Sequence, residues 1–114
     1  EGAGGLLVPI DERTLMVDLV RQLALPALVV ARSGLGTINH TLLTLEALRA
    51  RSLPVAGVVM VGELNPDNRE AIEKYGDVSV IAEMPVLDPL DCAALAAWST
   101  AHLDPAGLLL EYLR

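Results

Sequence analysis

Two glycine-containing stretches carry residue types suited to chemistry. The first is Gly34-Leu35-Gly36-Thr37-Ile38-Asn39, which follows an aliphatic run and opens an amphipathic one. The first N–H groups of a helix lack intrahelical acceptors and carry the positive end of its dipole. Glycines let an anion approach them closely, so a carboxylate or phosphate suits the place. The same residues also read as an ordinary turn capped by Gly36 or Thr37. The second stretch is Glu1-Gly2-Ala3-Gly4-Gly5. A carboxylate beside open backbone N–H groups can hold Mg²⁺ against nucleotide phosphates; the other reading is a flexible glycine start.

The remaining reactive side chains read as structural. His40 falls in a helix start and His102 on the surface between two C-terminal helices. Cys92 has no nucleophile signature around it and reads as a small buried residue. Asp88 and Asp91 are loop and cap residues, and Asn65-Pro66-Asp67-Asn68 is a turn into a helix. No G-x-x-x-x-G-K-[ST] phosphate loop is present.

The elements that must position the two glycine stretches follow from hydrophobic periodicity. Asp11 is expected to cap a helix from about Glu12, with Leu15, Met16, Leu19, Val20 and Leu23 on one face and Pro26 as its stop. Strands are predicted at 27–31, 55–61 and 78–82. Between them lie a helix with Ile38, Leu42, Leu45 and Leu48 on one face, and a polar helix from the Asn65 turn through Lys74, ended by Gly76. A proline-punctuated loop at 85–91 precedes two short helices, at 92–100 and 105–113. Alternation of this kind predicts an α/β fold: a parallel sheet flanked by helices on both faces, with right-handed crossovers.

Composition bounds the function. Of 114 residues, 53% are hydrophobic with no Phe, so extensive burial in a core of Leu, Val, Ile and Ala is expected. The net charge is −7 and eight Lys and Arg are dispersed, which excludes a phosphate-tracking nucleic-acid surface. No apolar run approaches the ~20 residues that span a membrane. The single cysteine excludes an internal disulfide and fits a reducing cytoplasm. A start at Glu1 without Met, in a glycine loop that reads as a strand exit, is expected of part of a longer domain.

Taken in order and spacing, EGAGG, LLVPI and SGLGTINHTLLTLEALRARSLPVAGVV resemble the second half of dethiobiotin synthetase, through most of the chain and weakening after Leu87. The resemblance implies a P-loop NTPase-like fold, of which residues 1–114 are the C-terminal part of a single domain. It implies a homodimeric ligase that forms the cyclic urea of dethiobiotin from 7,8-diaminopelargonic acid, CO₂ and ATP with Mg²⁺. One amine takes up CO₂, the carbamate oxygen attacks the γ-phosphate, and the second amine closes the ring with release of phosphate. Glu1 matches the metal-coordinating glutamate. Gly2, Ala3 and Gly4 match the glycine loop beside the phosphates. Gly36, Thr37, Ile38 and Asn39 match the helix start that receives the substrate carboxylate across the dimer interface. Pro85, Val86 and Leu87 match a loop bordering the base.

Two departures stand out. The P-loop half, with its phosphate-binding lysine and metal-holding threonine, does not occur in this chain, so the chain alone is expected to be inactive. The family commonly has an Asn that reads adenine where this sequence has Val61-Gly62, so base selectivity is relaxed or another group supplies it. The alternatives are a non-enzymatic, degenerate dimerising module, or a different P-loop ligase such as a cobyrinate amidase relative.

Overall fold

The computed structural model describes residues 1–114, the side chain of Leu113 excepted. In chain order the elements are α1 (Met16–Leu23), β1 (Ala27–Arg32), α2 (Thr37–Arg49), β2 (Val55–Val61), α3 (Pro66–Gly76), β3 (Val80–Met84), α4 (Cys92–His102) and a terminal 3₁₀ helix (Leu109–Leu113). The strands form one parallel sheet in the order β1-β2-β3. The predicted α/β class and its helices on both faces are what the chain adopts.

Each face of the sheet has its own core. On one, Ala31, Val58, Met60 and Val80 meet Leu45 of α2 and Ile72 of α3. On the other, Val59, Ile81 and Ala82 meet Trp98 of α4 with Leu108 and Leu109. The sides alternate along β2 because successive strand side chains point opposite ways.

Register along the sheet sets the site. Arg32 of β1 pairs with Val61 of β2, and Val61 with Met84 of β3. The three strand exits therefore lie abreast, neighbours separated by about 4.8 Å. Gly34–Asn39, Val61–Gly62 and Pro85–Leu87 all leave the same carboxyl-terminal edge, where ligands bind in open α/β sheets.

Several expectations need correction. Asp11 caps no helix: its carboxylate accepts the Arg13 N–H at 2.8 Å, and α1 starts four residues after Glu12 because residues 9–15 form a small antiparallel bridge, Pro9 to Leu15. The Asp18 carboxylate instead accepts the Leu15 N–H at 2.9 Å. Gly76 is the last residue of α3 rather than the left-handed residue after it; Asp77, with φ 44°, takes that part. The turn delays β3 to Val80. The last predicted helix is a 3₁₀ turn only, nucleated by the Asp104 carboxylate, which accepts the Leu108 and Leu109 N–H groups at 2.8 and 2.7 Å. On α2 the fully buried stripe is Thr37, Thr41, Leu45 and Leu48, with Ile38 and Leu42 only half-buried. Cys92 is exposed, at the first position of α4 after its cap Asp91, whose carboxylate accepts the Ala94 N–H at 2.8 Å.

Burial is also less extensive than the composition implies. Leu28 and Val30 of the edge strand β1 face away from α2, and Val30 is 68% exposed. Leu7, Ile10, Leu23, Leu25 and Leu43 are exposed as well. Strand β1 pairs with β2 alone, so its outer edge carries unpaired backbone groups among the described residues.

Candidate functional site

The α2 amino terminus is built from a strand exit that has no freedom to wander. Ser33, directly after β1, is buried; its N–H donates to the Val61 carbonyl at 2.9 Å. Its side chain packs on Gly62, where a Cβ would stand 2.4 Å from the Ser33 Oγ. Gly62 also has φ +130°, a region closed to most side chains. The chain then turns through Gly34 and Leu35 to Gly36, the N-cap, at φ +90°. The Thr37 N–H donates to the Gly34 carbonyl at 3.2 Å and the His40 N–H to the Gly36 carbonyl at 3.0 Å.

That leaves the N–H groups of Ile38 and Asn39 with no acceptor among the described residues. Gly36 has no side-chain oxygen to offer them, and the first turn of α2 holds no acidic residue. Helices usually satisfy these donors with a Ser, Thr, Asp or Asn cap. Here a 13-residue helix presents them open at its positive end. Thr37 itself is turned inward and buried, its Oγ1 3.4 Å from that of Thr41 and its N–H taken by the Gly34 carbonyl, so of the four expected contact residues Thr37 contributes shape rather than a free donor.

The amino-terminal glycine stretch lies beside this helix start. Gly4 and Gly5 line a groove of about 730 Å³ together with Val29–Arg32 of β1 and Thr37, His40 and Thr41 of α2. The segment is anchored by α1: the Met16 N–H donates to the Val8 carbonyl and the Val17 N–H to the Leu6 carbonyl, both at 2.9 Å. Gly2 packs against the Met16 thioether so closely that a Cβ would stand 2.6 Å from its sulfur. Glu1 and Ala3 are exposed. The two motifs thus face one groove, which Gly4 and Gly5 line from one stretch and Thr37 from the other.

For Mg²⁺ the donor set is small. No group of three His, Cys, Asp or Glu side chains able to hold a metal exists among the described residues. Glu1 is a single exposed carboxylate. Mg²⁺ is held by one or two carboxylates plus phosphate oxygens and waters, so Glu1 fits as a partial ligand set.

The base-side residues also come together. Val61 is half-buried and Gly62 donates its N–H to the Met84 carbonyl at 2.9 Å, directly before Pro85. Pro85 has no N–H, and Val86 and Leu87 are apolar, so no side chain of this set can hydrogen-bond a base edge. Behind the loop, Arg69 of α3 binds the Glu83 carboxylate at 2.9 Å and the Val80 carbonyl at 3.0 Å, clamping β3 just before Pro85. The Glu83 carboxylate, by hydrogen bond, holds the Arg69 guanidinium above its ordinary pKa.

Residues outside the site are equally clear. Tyr75 is 69% exposed near the carboxyl end of α3, about a helix length from the strand exits, and Lys74 Nζ lies 5.4 Å from its ring centre. His102 neighbours Trp98 at the end of α4. Two contributors were not read as site residues in the sequence. Ser33 gave no signal beyond preceding Gly34. Asn68 did: in Asn65-x-x-Asn68 one Asn suffices to cap α3, leaving the second to be explained.

The family model of an AAA domain matches residues 1–94. The chain belongs to that family. This AAA domain is also similar to curated proteins with more specific names. It is 62% identical over 99 residues to the biotin biosynthesis bifunctional protein BioCD of Bordetella avium, covering 87% of this chain and 21% of that protein. It is 60% identical over 96 residues to the ATP-dependent dethiobiotin synthetase BioD of Paramagnetospirillum magneticum, covering 84% of this chain and 47% of that one. The BioD of Brucella ovis is 51% identical over 90 residues, 79% of this chain and 42% of its own length. The resemblance to dethiobiotin synthetase therefore holds over most of the AAA domain described, which spans less than half the length of these synthetases.

Proposed function

We propose that the protein carrying this chain is an ATP-dependent dethiobiotin synthetase that closes the cyclic urea of dethiobiotin from 7,8-diaminopelargonic acid and CO₂. The observation that carries the reading is the open pair of N–H groups at Ile38 and Asn39, uncapped by Gly36, on a helix whose Thr37, His40 and Thr41 line a groove together with Gly4 and Gly5. An uncapped helix start suits the carboxylate of the diamine substrate. The glycine stretch suits the phosphates, and the similarity to named synthetases supports the same pairing. Gly36, Thr37, Ile38 and Asn39 form the carboxylate subsite. Gly2, Ala3 and Gly4 flank the phosphates, and Val61, Gly62, Pro85, Val86 and Leu87 border the base. Mg²⁺, when bound by Glu1 and phosphate oxygens, would supply charge neutralisation at the transferring phosphoryl group. The protein acts as a homodimer in the cytoplasm, and this chain by itself is inactive.

The test is phosphate release by the full-length protein with ATP, Mg²⁺ and bicarbonate, with and without 7,8-diaminopelargonic acid. Release that depends on the diamine is expected, together with none from residues 1–114 alone. Diamine-independent release, or none, would turn the reading toward another ligase of the same fold or a non-enzymatic dimerising module.

Base selectivity follows from the same site. With Val61 in place of a hydrogen-bonding side chain, discrimination between ATP and other nucleoside triphosphates is expected to be weak. Val61→Asn is expected to raise the ATP preference about fivefold, the worth of one net hydrogen bond of about 1 kcal/mol. Competition assays between ATP and GTP or CTP would read this directly, and an unchanged ratio would remove Val61 from the base subsite.

A further inference from the structure

Asn68 occupies the third position of α3, where its backbone N–H donates to the Asn65 side-chain oxygen at 3.0 Å. A residue at that position often turns its side chain back to the cap, completing a reciprocal box. Asn68 does not. Its Nδ2 donates to the backbone carbonyl of Ser33 at 2.8 Å, across 35 residues of sequence. Ser33 is thus fixed on three sides: its N–H by Val61, its carbonyl by Asn68 and its side chain by Gly62. Three residues later the chain reaches Gly36 and the open N–H groups of α2.

We infer that Asn68 is a positioning residue: through the Ser33 carbonyl it fixes the turn that aims the α2 amino terminus at the substrate anion. The inference rests on the carboxylate subsite proposed above. The reason is geometric. The peptide between Ser33 and Gly34 is the last one anchored before two glycines. With its carbonyl released, that peptide can turn about the Ser33 ψ and Gly34 φ angles, and the next peptide, whose Gly34 carbonyl accepts the Thr37 N–H, loses its fixed support. The helix start then loses its fixed direction while the sheet beneath stays paired. Asn65 makes the complementary case. It caps the same helix and makes no bond to Ser33, so its loss weakens α3 without touching the turn.

Three variants of the full-length protein separate these roles: Asn68→Ala, which removes the donor; Asn68→Asp, which keeps the shape and sets a carboxylate against a carbonyl; and Asn65→Ala, which removes the cap alone. Asn68→Ala is expected to raise the KM for 7,8-diaminopelargonic acid about tenfold, the upper range for a lost hydrogen bond, with Asn68→Asp larger still. The KM for ATP and kcat stay near wild type. Asn65→Ala lowers the Tm and leaves the diamine KM unchanged. Equal effects of Asn65→Ala and Asn68→Ala on the diamine KM would overturn the inference. If the wild-type protein shows no diamine-dependent turnover, the proposed function fails on its own, and amide hydrogen exchange of the same variants decides the role of Asn68. Faster exchange at Thr37 and His40 in both Asn68 variants but not in Asn65→Ala supports it, and equal exchange in all three refutes it.

Discussion

Gly36→Asp in the full-length protein is expected to raise the KM for the diamine substrate 10- to 100-fold while leaving the KM for ATP unchanged. Gly36 is the N-cap of α2, and the N–H groups it leaves open, those of Ile38 and Asn39, are the two that a capping carboxylate normally takes. An aspartate there competes as an internal ligand and repels an incoming carboxylate. A hydrogen bond to a charged group contributes about 1.5–3 kcal/mol, which is the expected range of KM. Space is not an obstacle, because nothing lies within 4 Å of a Cβ built at Gly36. The left-handed φ of +90° costs most side chains energy, but Asp and Asn tolerate that region best.

Two companions isolate the charge. Gly36→Asn has nearly the same shape and no charge, so it is expected to weaken binding several-fold less. Gly36→Ala carries the backbone strain alone and reports it as a lower Tm. Steady-state KM values for both substrates across the series, with melting curves, check the claim. Equal KM values for Asp and Asn would mean that no anion binds at this helix start.

The backbone geometry of this candidate site is readable in the sequence because glycines and element order set it. Gly34-Leu35-Gly36 after an aliphatic strand and before an amphipathic helix admits few geometries, and the strand–helix alternation fixes which edge of the sheet it occupies. β2 was legible residue for residue because VAGVVMV is bounded by Pro54 and Gly62. What was not legible depends on contacts distant in sequence. The inward turn of Thr37 is set by its packing at the sheet, and the amide of Asn68 goes to a carbonyl on another loop. The late start of α1 reflects a bridge between Pro9 and Leu15 that no local propensity announces. Composition counts apolar residues without saying which of them are covered within these 114 residues. Val30 and Leu28 on the edge strand remain uncovered here.

The largest expected loss of stability comes from Leu45→Ala, in the half of the same helix away from the proposed carboxylate subsite. Leu45 is 1% exposed and packs with Val58, Met60 and Ile72 between α2, α3 and the sheet. Truncation of such a leucine costs about 2–5 kcal/mol through lost burial and the cavity left behind. A domain has about 5–15 kcal/mol in all, so a fall in Tm on the order of 10 °C is expected. The helices approach closely here because α3 ends in Gly76. A Cβ on Gly76 would stand 2.8 Å from the Leu45 Cδ1, and 3.2 Å from both the Leu42 Cδ2 and the Val78 Cγ1. Gly76→Ala alone is therefore destabilising by about 1–3 kcal/mol, although alanine is otherwise the better helix former. Combined with Leu45→Ala, its methyl group loses the worst clash and enters the new cavity. The double variant is expected to be at least about 1 kcal/mol more stable than the sum of the single effects. Denaturant melts of the four proteins complete the cycle. Additive effects would mean that Gly76 and Leu45 do not share this contact, whereas strong coupling with an unchanged diamine KM would separate the packing end of α2 from its binding end.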